Sequence, residues 1–125
     1  MTNVKSAKVL HISATNEEHV TLLIDGHTVE CFTNSCLYEI EIGSTYEIEL
    51  TIYLFDSYKI ERTPPTDVFL EKTAKGYGYF LYGVLRNDVF SSFTDLHDED
   101  IHYDYPELND HFIKLEVHRI DANFL

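Results

Sequence analysis

Residues 45–55 constrain the fold more than any other stretch of the chain. Tyr46, Ile48, Leu50, Ile52 and Leu54 alternate with Glu47, Glu49, Thr51 and Tyr53. A period of two puts the first set on one face of a strand and the second on the other. One apolar face and one polar or aromatic face is the pattern of an antiparallel sheet with a wet side. Gly43-Ser44 supplies the entry turn. The same alternation recurs at Val20, Leu22 and Ile24, and again at Ile113, Leu115 and Val117 against Lys114, Glu116 and His118 within a last strand over 111–120. Asp25-Gly26 separates the strand over 19–24 from a second β-rich run, Thr28 to Phe32. Asp-Gly between two such runs predicts a tight hairpin, because both turn positions need positive φ. Residues 7–13 and 77–86 add further strands.

Two segments depart from this pattern. Thr63-Pro64-Pro65 stops any regular element. Thr66 then caps a short helix over 67–75, with Asp67 in its first turn, Lys72 and Lys75 near its end and Gly76 just beyond. Residues 94–110 are acidic and contain Pro106, and Leu96, Ile101 and Leu108 fit neither period. They read as a long acidic loop with one helical turn. The expected fold is all-β and mainly antiparallel: a small five- or six-stranded barrel with one short helix and that loop. A length of 125 residues with 44% hydrophobic content suits a single domain over 1–125 with a real core.

Within residues 5–55 the opening strand, the Asp25-Gly26 hairpin and the strand entered through Gly43, with Tyr46, Ile48 and Leu50, resemble the S1-like branch of the OB-fold. The resemblance covers under half the chain and implies fold, not function. A second resemblance lies at Lys75-Gly76-Tyr77-Gly78-Tyr79-Phe80-Leu81-Tyr82, which is similar to the RNP1 consensus of RNA-binding domains. Asp88-Val89-Phe90-Ser91-Ser92-Phe93 looks like the RNP2 segment of cold-shock domains, themselves OB-folds. That resemblance implies single-stranded nucleic-acid binding. Tyr77, Tyr79, Phe80 and Tyr82 would stack bases beside Lys72, Lys75 and Arg86. Departures from the family are the missing Trp-Phe pair, with Leu70-Glu71 near its place, and Ser91-Ser92 where a stacking His is usual. The cold-shock pattern asks for a strand at 67–71, where capping logic gives a helix.

Charge weighs against nucleic acid as the main partner. Twenty-two acids against nine Lys and Arg leave a formal net charge of −13. Residues 1–58 carry two bases and nine acids, residues 59–86 five bases and three acids, and residues 87–125 two bases and ten acids. No Lys or Arg stands between Arg86 and Lys114. Such a chain is repelled by phosphate backbones and drawn to basic surfaces. The first reading is therefore a non-catalytic interaction module, of inhibitor or immunity type, that binds a basic protein. Its contacts would be Asp95, Asp98, Glu99, Asp100 and Asp104, with Tyr103 and Tyr105 as aromatic anchors.

His97, Asp98, Glu99, Asp100, His102 and Asp104 raise a third possibility, a divalent metal. Read as a calcium loop from Asp98, position six is Tyr103 rather than Gly and position twelve is Asn109 rather than Glu. The spacing of His97 and His102 is not that of a helical zinc pair. The expectation is no metal and no cofactor. No Ser-His-Asp set, P-loop or dinucleotide fingerprint is visible, so no enzyme activity is expected. No apolar run approaches the ~18 residues of a membrane span. Residues 1–5 show no apolar export segment, and the expected location is cytoplasmic. Cys31 should then be a free thiol facing the core, with Cys36 beyond the point where Asn34-Ser35 breaks the strand pattern.

Overall fold

A computed structural model describes residues 3–13, 19–33, 39–55, 58–73 and 77–125. Strands β1 (Val4–Ile12), β2 (His19–Ile24), β3 (His27–Phe32) and β4 (Thr45–Tyr53) come first. β5 (Ile60–Arg62), β6 (Leu70–Lys72), β7 (Tyr79–Arg86), β8 (Val89–Ser91) and β9 (Asp95–His97) follow. A one-turn helix α1 (Asp100–Asp104) and a 3-10 turn (Pro106–Leu108) lead to β10 (Phe112–Val117) and β11 (Arg119–Phe124). None of the described helices is long and apolar enough to cross a membrane.

The first four strands and the last one close a five-stranded barrel in the order β1-β2-β3-β11-β4. The alternation in β4 does what its period requires: Ile48 and Leu50 are buried, and Glu47 is exposed. Asp25 and Gly26 both take positive φ, 49° and 81°, and pair Ile24 with His27 across the hairpin. Four of the five seams are antiparallel ladders. The fifth, β3 to β11, is parallel and joins at a single register pair, Asp121 to Phe32. This barrel is compatible with an OB-like fold.

The remaining strands form a second sheet ordered β5-β10-β7-β8-β9, with β6 also on β7. β7 is central. β10 lines one of its edges from Tyr79 to Val84, while β6 and β8 share the other edge, at 79–81 and 84–86. Gly83 lets β8 approach, since a Cβ at that position would overlap the Ser91 carbonyl oxygen. Asn87, at φ 55°, makes the turn into β8.

Barrel and sheet share one cluster of buried side chains, from Val9, Leu22 and Leu50 to Leu81, Phe90 and Leu115. Polar bridges join them at the rim. The Asn3 side chain pairs with the His97 backbone in both directions, at 3.1 and 2.6 Å. Tyr79 Oη accepts from Glu30 N at 2.8 Å, and Thr94 donates to Asp25.

The structure corrects three expectations. The segment 67–75 is not a helix where it is described: Leu70–Lys72 is a strand on β7, because an open β7 edge offers a full ladder that an isolated, nine-residue helix cannot match. Residues 94–110 contain the expected helical turn, α1, but are not otherwise one long loop. They hold β9, α1 and the 3-10 turn, and Leu96, Ile101 and Leu108, which fit no period, are buried anchors for three different short elements. The last strand over 111–120 is two strands that divide at His118, one in each sheet.

Candidate interaction surface

α1 begins at a built start. Asp98 Oδ1 accepts from the backbone N–H of Asp100 at 2.9 Å and of Ile101 at 3.2 Å. These are donors that a helix start leaves unmatched. Ile101 at 0% and Leu108 at 8% exposure pin the segment to the core. What remains outside is acidic: Asp95, Glu99, Asp100, Asp104, Glu107 and Asp110 are exposed. Tyr103 stands among them at 73% exposure, the most open large apolar side chain described. Its ring stacks on His102 at 4.4 Å and 29°.

Not all the expected contact residues face solvent. Asp98 is half-buried, and burial raises its carboxyl above the ordinary value despite the two backbone bonds it accepts. Tyr105 is half-buried against Tyr58, with ring centres 5.7 Å apart. Tyr58, from the segment before β5, donates its hydroxyl to Asp104 Oδ2 at 2.8 Å. Burial first, and that carboxylate second, push the Tyr58 hydroxyl up. Nothing in the sequence pairs residue 58 with residue 104.

The aromatic residues of the RNP1-like stretch divide between the two faces of β7. Tyr79 is 2% exposed and points inward. Tyr77 packs on His19 and Phe32 at 4.7 and 5.8 Å, and Lys72 lies over both Tyr77 and Tyr79. Phe80 and Tyr82 face the other way, where Lys114 covers them at 4.3 and 5.8 Å. Arg86 is exposed at the strand end. The space beside Gly78, which the RNP1 pattern leaves for a nucleotide, holds Thr73, whose Oγ1 would be 2.6 Å from a Cβ there. The strand also lies in the second sheet rather than in the barrel. Lys75, Gly76 and Cys36 lie outside the described residues.

Among the described residues no three His, Cys, Asp or Glu side chains come together as metal ligands. In the 97–104 cluster, Asp98 caps α1 and Asp104 holds Tyr58. Cys31 is buried and free, and burial first, with Asp121 next, raises its thiol far above the ordinary range.

Two features were not legible in sequence. A groove of about 460 Å³ runs along the second sheet between Tyr58, Phe80 and Tyr105, with Glu61, Lys114 and Glu116 on its walls. At the β3–β11 seam the Arg119 guanidinium is sandwiched between Phe32 and Tyr53, 4.7 Å from each ring centre. Its Nε lies 2.9 Å from Asp121 Oδ1. Asp121 is 5% exposed, and desolvation raises its carboxyl while Arg119 opposes the shift.

No curated protein and no solved structure matches the chain. A family model does, over residues 3–125. The chain belongs to the family described as uncharacterised conserved protein UCP019853.

Proposed function

We propose that the protein is a non-catalytic interaction module that presents α1 and its flanks to a basic protein. One observation carries the reading: Tyr103, 73% exposed, stands on a pinned helical turn, and the exposed charged residues of its own segment, Asp95 to Asp110, are all carboxylates. An open aromatic ring on a segment that carries one sign of charge fits the anatomy of a hot spot, with a ring to bury and a rim to steer. The fixed start at Asp98 and the Tyr58–Asp104 bond support it, because a held surface loses little entropy on binding. Asp95, Glu99, Asp100 and Asp104 act as the rim and Tyr103 as the anchor, while Asp98 and Tyr105 hold the segment in shape. We read the barrel as S1-like, and the whole chain as one cytoplasmic domain that works without a cofactor.

The test uses the immobilised protein, Tyr103→Ala, and Asp100→Asn with Asp104→Asn, each exposed to nuclease-treated cell lysate. The expected result is a basic protein, identified by mass spectrometry, that is retained at low salt, released as salt rises and lost with both variants. Equal retention by wild type and Tyr103→Ala would overturn the assignment. Submicromolar binding of a short single-stranded oligonucleotide would favour nucleic acid instead.

A further inference from the structure

β5 is an end strand of the second sheet, and its outer edge has no backbone partner among the described residues. The register identifies the open groups. Glu116 N donates to Lys59 O and Thr63 N to Phe112 O, with Glu61 opposite Lys114 between them. Lys59, Glu61 and Thr63 therefore direct their backbone groups to β10, and those of Ile60 and Arg62 point away. An open edge of this kind is a template for another strand.

Charges on an edge normally discourage pairing, but opposite charges two residues apart complement themselves across a two-fold axis. We infer that β5 pairs antiparallel with β5 of a second copy, with the axis at Ile60. In that register Lys59 of each copy lies opposite Glu61 of the other. Arg62 falls opposite Tyr58, the residue whose hydroxyl holds Asp104. Lys59, Glu61 and Arg62 are exposed, and none forms an ion pair among the described residues. An axis at Glu61 would instead set Glu61 against Glu61, which is repulsive. The contact is isologous, as a two-fold interface must be, and it extends the second sheet through both copies. Three residues of edge and the charge on each copy make this a weak, concentration-dependent dimer. The inference is independent of the α1 surface.

Sedimentation velocity over a concentration series up to sub-millimolar protein tests it. Wild type shifts from monomer to dimer. Lys59→Glu and Glu61→Lys each place two like-charged pairs across the axis and weaken association at least ten-fold. The double exchange Lys59→Glu with Glu61→Lys restores it to within a few-fold of wild type. Both side chains are exposed, so the fold survives the changes, and circular dichroism checks this. A wild type that stays monomeric, or single variants as dimeric as wild type, overturns the inference. In a Cys36→Ser background, Lys59→Cys mixed with Glu61→Cys cross-links on oxidation. Self-linking of Glu61→Cys in its place overturns the register.

Discussion

Single side chains decide more here than the strand pattern suggests. Tyr79 belongs to the RNP1-like run, yet it is buried, and its hydroxyl oxygen is the acceptor for Glu30 N. Tyr79→Phe leaves that N–H without its partner, so a loss of about 1–3 kcal/mol is expected in urea unfolding. Burial also pushes the Tyr79 hydroxyl from 10.0 up to about 12. The folded state then holds this proton longer than the unfolded chain does. Stability should fall as pH rises through that window, and phenolate absorbance should show Tyr79 titrating late alongside Tyr58, with one of the two late phenols lost in Tyr79→Phe. Gly83→Ala drives a methyl into the Ser91 carbonyl, and a shift of backbone is the only relief. The expected cost is about 3 kcal/mol, the upper end for overpacking. Sequence placed Cys31 on the core side by parity with Val29, and it is buried. It gave no sign of what Tyr79 or Gly83 would meet, because those partners are 49 and eight residues away.

At the scale of elements, strands were legible wherever one face is wet. β2, β4 and β10 alternate because one side packs and the other is solvated. The short elements between Ser92 and Asp110 were not, since each contributes one buried residue and three anchors on three elements share no period. β5 was missed, being only three residues, and β6, also three, stands at 70–72 where the cold-shock pattern asks for a strand at 67–71 against the helix that capping logic favoured. The Asn87-Asp88 pair was an available signal for the β7–β8 turn, as Asn tolerates positive φ. α1 depends on Asp98. Asp98→Ala should destabilise by about 1 kcal/mol in thermal or urea unfolding, the usual cost of a lost cap. Asp98→Asn should cost less, because it keeps an acceptor and removes a charge that burial penalises. For the same reason the Asp98 contribution is most favourable near and below its ordinary value of 3.8, and it declines as pH rises above it.

At the scale of the whole molecule, the weakest closure of the barrel is the parallel β3–β11 seam, with its single register pair. Arg119, set between Phe32 of β3 and Tyr53 of β4 and held by Asp121, clamps it. Arg119→Ala should lower stability by about 1–2 kcal/mol, and Arg119→Lys should not restore it, because a lysine cannot stack flat between two rings. Hydrogen exchange at β11 should rise in both variants. The charge of −13 works against compactness, so added salt up to physiological strength should raise the melting temperature by a few degrees. The sequence alone determined an all-β chain, the Asp25-Gly26 hairpin and a concentration of acid after Arg86, because alternation, turn chemistry and charge are local properties. Only the tertiary structure decided that β11 closes the barrel, that Tyr77, Tyr79, Phe80 and Tyr82 part to opposite faces, and that Tyr103 is left open on a held turn. These depend on which distant strands pair and what each face then meets, and contacts between residues far apart in the chain leave no period to read.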